Sequence, residues 1–135
     1  MCDLTAFLHP AAAVEPEEVF ISRRFTGKDG KPVPFVIRPL TQEENEQLIR
    51  QSTRGARHGE AQLDKIEYGR RLIVAATVTP DFKSQELCAA CKTLNPLEVP
   101  GKLLLAGEFQ RLTQAILALS GLDSSQEELE EQAKN

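Results

Sequence analysis

Cys88-Ala89-Ala90-Cys91 is the one segment of this chain with the spacing of a chemical site. Such a pair supplies half of a structural zinc site, which needs four ligands. The other soft ligands, Cys2, His9 and His58, are scattered and show no second paired spacing. A redox pair would sit at a helix start after a strand, where the helix dipole lowers a thiol pKa. Here the pair falls within a helical stretch, and Leu87, Cys88, Cys91 and Leu94 make one apolar stripe. Buried cysteine behaves as a small hydrophobe, so the spacing reads as core packing. Cys88 and Cys91 are the only metal candidates, and no metal or other cofactor is expected.

A second cluster is basic. Residues 19–40 carry Arg23, Arg24, Lys28, Lys31 and Arg38 against Asp29 alone, with Arg50, Arg54 and Arg57 beyond. A nucleic-acid surface would want a positive domain with stacking aromatics among the bases. The net charge is −4, and residues 123–135 account for all of it with five acids and one base. Removing those from the 20 acids and 16 bases of the chain leaves 15 of each in residues 1–122. The body is therefore neutral, Phe20, Phe25 and Phe35 read as the buried face of a hairpin, and nucleic acid is not expected as a partner. The bases read as solvated, or paired with the acidic leader at Glu15, Glu17 and Glu18.

Nothing points to catalysis. Gly27 and Gly30 belong to a turn, the two histidines accompany no nucleophile motif, and Glu43, Glu44 and Glu46 complement a helix N-terminus. The chain is expected not to be an enzyme. The remaining feature is the leucine-rich C-terminal third, whose apolar residues cover more than one helix face. These fill a core, or part of them forms a groove for a partner helix. On the second reading Leu103, Leu104, Phe109, Leu112 and Ile116 are the candidate partner-binding residues.

The elements that must position these groups follow from periodicity. Leu4, Phe7 and Leu8 make one apolar helical turn, which His9-Pro10 and the Ala-Ala-Ala-Val-Glu-Pro stretch interrupt. Residues 1–17 thus read as a flexible leader. Val19, Ile21 and Phe25, then Val33, Phe35 and Ile37, alternate across an Asp29-Gly30 turn and predict a β-hairpin. Pro32 and Pro34 predict that the returning strand is an edge. A lone hairpin is marginal, so it must pack on helices or join another sheet.

Thr41-Gln42-Glu43-Glu44 has the form of a capping box opening a polar surface helix with Leu48 and Ile49 as its apolar residues. Residues 52–59 read as a loop. A helix from about Ala61 to Val78 follows, with Leu63, Ile66 and Ile73 on one face and an apolar second half. Ser84 caps a helix bearing the cysteines, and Asn95-Pro96 starts a short turn. Leu105, Phe109, Leu112, Ile116 and Leu119, spaced by four, three, four and three, define a last helix that Gly121 ends. The expected fold class is α+β, an N-terminal antiparallel β-hairpin packed on a mostly helical domain of about five helices. The expected division is leader 1–17, one domain 18–122, and an acidic, disordered tail 123–135.

The order of these segments resembles the tail assembly chaperones of contractile-tailed phages and PBSX-like prophages, the XkdN-like family. The resemblance runs through Asp3-Leu4-Thr5-Ala6-Phe7-Leu8, Val19-Phe20-Ile21-Ser22-Arg23-Arg24-Phe25 and Gly30-Lys31-Pro32-Val33-Pro34-Phe35 to Arg38-Pro39-Leu40-Thr41. It continues in Ala75-Ala76-Thr77-Val78-Thr79-Pro80-Asp81-Phe82, Ser84-Gln85-Glu86-Leu87 and Leu103-Leu104-Leu105-Ala106-Gly107-Glu108-Phe109, and closes on Leu119-Ser120-Gly121-Leu122. About 115 residues lie in register. The Cys88-Ala89-Ala90-Cys91-Lys92 stretch departs from a Tyr-Gly-like stretch frequent in that family.

The resemblance implies a small, non-enzymatic α+β protein of phage tail morphogenesis. It implies binding to the tape measure protein, a long and mostly helical polypeptide, so that it stays soluble during assembly. Further implied contacts are the tail tube protein and self-association. The implied location is the host bacterial cytoplasm, with no place in the mature virion. A small metal- or nucleic-acid-binding regulatory protein is the alternative, using Cys88 and Cys91 or the basic hairpin.

Composition agrees with a folded chain of this kind. The 135 residues are 41% hydrophobic and 27% charged, the proportions of a globular chain long enough to bury a core. The longest apolar run, Leu103 to Ala106, is far short of the ~18 residues that span a bilayer. The N-terminus lacks the basic and apolar regions of a signal peptide, and three cysteines make an unlikely disulfide framework, so a reducing cytosol is expected.

Overall fold

The hairpin forms, and its position in the sheet decides where the helices go. The computed structural model describes residues 4–10, 15–55 and 59–122. Cys2, Arg57, His58, part of the leader and the acidic segment 123–135 lie outside the described residues. Helix α1 covers Leu4–Leu8 and strand β1 covers Glu17–Val19. Strand β2, Phe35–Ile37, pairs antiparallel with β1 in the register Glu17↔Ile37 and Val19↔Phe35. Between them the Gly27 amide donates to the Lys31 carbonyl and the Val33 amide to the Phe25 carbonyl, at 3.0 and 2.8 Å. Gly30 takes the left-handed conformation at φ +78°, as a tight turn requires.

The returning strand is not an edge. Strand β5, Thr77–Thr79, pairs with the other side of β2, so β2 is central in the order β1-β2-β5. Pro32 and Pro34 are tolerated because they precede β2, at alternate positions to Val33, and no ladder hydrogen bond needs their missing amides.

Thr41 caps helix α2, Gln42–Ser52, with the predicted capping box. The Glu44 amide donates to Thr41 Oγ1 at 3.2 Å, and Glu44 Oε1 accepts from the Thr41 amide at 3.1 Å. The stretch after it is more than a loop: β3, Thr53–Arg54, pairs with β4, Gln62–Leu63. Asp64 then caps helix α3, Lys65–Ala76, accepting from the Ile66 and Glu67 amides at 3.1 Å. Helix α3 ends two residues before the expected Val78. Thr77, Val78 and Thr79 are β-branched, and Pro80 disfavours a helical residue before it, so the chain turns extended and joins the sheet. The buried residues of α3 are Gly69, Leu72, Ile73, Val74 and Ala76, whereas Leu63 and Ile66, expected inside, are 41% and 69% exposed.

Ser84 caps helix α4, Gln85–Ala90, which is shorter than the apolar stripe suggested. Lys92, at φ +57°, ends it in the geometry of a Schellman motif. The Thr93 amide donates to the Cys88 carbonyl and the Lys92 amide to the Ala89 carbonyl, at 3.1 and 3.0 Å. Leu94 therefore lies beyond the helix and is fully exposed. A 3-10 turn, Pro96–Glu98, leads into α5, Val99–Leu103, and α6, Ala106–Leu119. Gly121, at φ +78°, closes α6 with the same motif, the Leu122 amide donating to the Leu117 carbonyl at 2.9 Å.

One apolar cluster joins these elements. Ile21, Phe35 and Ile37 of the hairpin meet Leu48, Leu72, Ile73, Val99, Leu112 and Ile116 from the helices and Phe82 from the turn between β5 and α4. Each such side chain, buried completely, contributes about 1.5–3 kcal/mol relative to exposure. Helices α3 and α6 approach closely where Gly69 faces the Phe109 ring; a Cβ on Gly69 would lie 3.2 Å from Phe109 Cε1. The molecule is α+β, with six α-helices, a three-stranded antiparallel sheet and a separate two-stranded one among the described residues.

Candidate functional site

The leucine-rich third is divided between core and surface. Leu104, Leu112 and Ile116 are buried, Leu112 and Ile116 completely, so these candidate partner-binding residues hold the fold together. Leu103 and Phe109 are only half-buried. The five do not form one open face in this structure. Leu103 instead contributes to an apolar cleft of about 420 Å³ between the hairpin and the helices.

One wall of the cleft is the hairpin, with Phe25, Val33, Pro34 and Phe35. The opposite wall is the end of β5 and the helices, with Thr79, Pro80, Leu87 and Leu103. Phe25 and Phe35 meet edge to face, ring centroids 5.5 Å apart, which stiffens the hairpin wall. Phe35 is buried and Phe25 half-buried, as the alternation predicted, but Phe20 is 70% exposed and no part of a buried face. Val33, 41% exposed, stands at the mouth.

Arg24 at the rim joins the two walls. Its Nε and Nη2 donate to the two carboxylate oxygens of Glu108 at 2.9 and 2.6 Å, and Nη2 also donates to the Leu103 carbonyl at 2.9 Å. The guanidinium carbon lies 4.8 Å from the Phe25 ring centroid. Glu108 sits in the first turn of α6, where it also accepts from the Leu105 amide at 2.8 Å and so caps the helix. Its side chain is 2% exposed, and bidentate pairing with Arg24 holds its carboxyl down at about 2, against the opposing effect of burial. The pairing raises Arg24 in turn. Sequence reasoning missed this ion pair because 84 residues separate its members. The available signal was a glutamate in the first turn of an otherwise apolar helix.

Arg38 and Arg54 are also paired within the chain, although not with the leader. Arg38 donates to Glu44 at 3.0 and 2.6 Å, which holds the Glu44 carboxyl at about 2. Arg54 pairs with Glu67 at 3.0 Å and Asp64 at 3.8 Å. Of the two readings of the hairpin bases, solvated or paired with Glu15, Glu17 and Glu18, neither holds for Arg24 and Arg38, which pair with Glu108 on α6 and Glu44 on α2 because the fold brings those helices alongside the hairpin.

Cys88 is buried and its thiol donates to the Phe82 carbonyl at 3.7 Å. Cys91 is half-buried at the end of α4, and both are free thiols. Among the described residues no group of three or more His, Cys, Asp or Glu is placed to hold a metal ion. Among the same residues no helix is long and apolar enough to cross a membrane.

Comparison with known proteins places this arrangement. The chain is 34% identical to phage-like element PBSX protein XkdN of Bacillus subtilis strain 168, over 98% of this chain and 94% of that one. It is 36% identical to the uncharacterized protein YqbN of the same strain, over 98% and 93%. The crystal structure of the protein YqbN superposes with a TM-score of 0.76 at 32% identity, covering 91% of this chain and 99% of that one. The family model for phage XkdN-like tail assembly chaperones matches residues 4–134. The chain belongs to the phage XkdN-like tail assembly chaperone family.

Proposed function

We propose that this tail assembly chaperone binds the tape measure protein and keeps it soluble while the phage or prophage tail is built. The observation that carries this reading is the apolar cleft between the hairpin and Leu103, open at the surface of a chain that has already filled its core. A long helical polypeptide presents apolar stripes that would associate with one another if left uncovered, and an apolar groove accepts such a stripe side-on. Leu103 and Phe109, the half-buried members of the leucine-rich third, are the ones available to a partner. The acidic segment 123–135 keeps the loaded chaperone in solution through its net charge. The protein acts in the host cytoplasm by binding rather than catalysis and is left out of the finished virion; the tail tube protein is a further contact during assembly.

Co-expression with the tape measure protein of the same prophage tests the reading. The tape measure polypeptide is expected in the soluble fraction with this chain and in the pellet without it. A tape measure polypeptide equally soluble in both cases, or one that fails to co-purify, would overturn it.

A further inference from the structure

We propose that the segment docking in the cleft carries opposite charges at its two ends, a carboxylate where it passes Arg24 and a base where it passes Asp81 and Glu86. The inference rests on the cleft being the docking surface, as above, and names the charge pattern that a tape measure segment needs there.

The apolar surface does not stop at Pro80 and Leu87. Both residues also line a second hollow of about 330 Å³, which runs along α4 past Asp81, Glu86 and Ala90. Pro80 and Leu87 thus form the apolar middle of one longer groove, and its two ends differ in charge. At the hairpin end, Arg24 is the one charged side chain lining the cleft among the described residues. Its Nε and Nη2 are committed to Glu108 and the Leu103 carbonyl, whereas Nη1 has no partner among the described residues. The Arg24 side chain is 44% exposed and that of Glu108 only 2%, so the pair shows the groove a guanidinium edge rather than a carboxylate. At the α4 end the charges lining the hollow are both acidic. Asp81 and Glu86 are exposed, and neither is in an ion pair among the described residues. Asp81 Oδ1 accepts from the Lys83 amide at 3.0 Å, which fixes that carboxylate beside the groove. Lys83 itself is exposed and lines neither hollow.

Such a groove divides affinity from selection. The apolar middle accepts any apolar stripe, while the charged ends reject a segment laid the wrong way round, because reversal brings like charges together. A long polypeptide with many similar stripes is thereby engaged at the few whose flanking charges match.

The test uses overlapping synthetic peptides that cover the tape measure protein of the same prophage, titrated with the full-length chain by fluorescence anisotropy. The tightest-binding peptide is expected to carry acids toward one end of its apolar stripe and bases toward the other. Replacing those bases by glutamate should weaken binding about fivefold to tenfold, and added salt should narrow the difference. Glu86→Lys with Asp81→Asn should weaken the parent peptide by a similar factor and recover the glutamate-substituted one. That recovery is a result no loss of fold could produce. Circular dichroism checks each chain, and Glu86→Gln replaces Glu86→Lys if the latter fails to fold. Arg24 is left unchanged because it holds Glu108. Parent and variant chains that bind both peptides alike would overturn the proposal, and if Val33→Glu still abolished that binding, the cleft reading would stand without it. A complete absence of peptide binding would also overturn it, and the co-expression test then decides the broader reading separately.

Discussion

Glu108 is the residue on which the geometry of the cleft turns. It is a carboxylate with 2% exposure, and it survives there because Arg24 and the Leu105 amide satisfy both of its oxygens. Glu108→Gln keeps the shape and removes the charge, and we expect urea unfolding to show a loss of about 1.5–3 kcal/mol, the range for hydrogen bonds to a charged group. The pH dependence has a definite sign. The folded-state carboxyl sits at about 2 against an ordinary 4.5, so its stabilisation is present above that ordinary value and lost as pH falls toward 2. Glu44 acts in the same window but is more than a third exposed, and solvent screening reduces its share. Stability should therefore drop between about pH 4.5 and 2, and more shallowly in Glu108→Gln. The cysteines are a contrasting case. Cys88→Ala with Cys91→Ala should lower stability by about 1 kcal/mol, an ordinary loss for core truncation, and leave tape measure co-purification intact. Loss of co-purification in the folded double variant would refute the packing role.

At the scale of elements, helix ends determine what the helices can reach. Helices α4 and α6 both finish in Schellman motifs, but glycine fills the left-handed position in α6 and Lys92 fills it in α4. A left-handed non-glycine residue costs roughly 1–2 kcal/mol, and glycine gives back part of that gain by its greater freedom when unfolded. Lys92→Gly should consequently stabilise the chain by about 0.5–1 kcal/mol in denaturant unfolding. A decrease would mean that the Lys92 side chain does something the backbone account omits. The stop at Lys92 also explains why Leu94 points into solvent despite its place in the apolar spacing. The last three residues before Pro80 likewise leave the helix and become β5, and this conversion builds the second wall of the cleft at Thr79 and Pro80.

For the whole molecule, the distinction that matters is between apolar surface already buried and apolar surface that, on the proposed function, is left for a partner. Leu112 and Ile116 belong to the first kind, and Val33, with Leu103 behind it, to the second. Val33→Glu places a charge at the mouth of the cleft on a residue that is 41% exposed, so folding stability should change by less than about 1 kcal/mol. Tape measure co-purification should fall by tenfold or more, since a charge desolvated against an apolar stripe costs more than about 1.4 kcal/mol. Leu112→Ala should do the reverse, lowering stability by about 2–5 kcal/mol. Binding per folded molecule should be unchanged. Similar losses of binding in both variants, after correction for folded fraction, would remove the distinction.

The sequence by itself determined what depends on neighbours in the chain. The capping box at Thr41 and Glu44, the Asp29-Gly30 turn, the Gly121 stop, the spacing of α6 and the ordered segments that resemble the XkdN-like family are all local patterns. Tertiary structure decided what depends on long-range pairing. It placed β2 centrally by pairing it with Thr77–Thr79, taking Thr77 and Val78 from the expected helix, and it assigned Arg24 to Glu108 and Arg38 to Glu44. It also sorted the leucines into core and cleft. Periodicity reports that a residue faces something apolar; only the packing of distant elements says whether that something is the chain itself or an open space for another. Leu103 and Leu112, alike in sequence terms, separate for that reason.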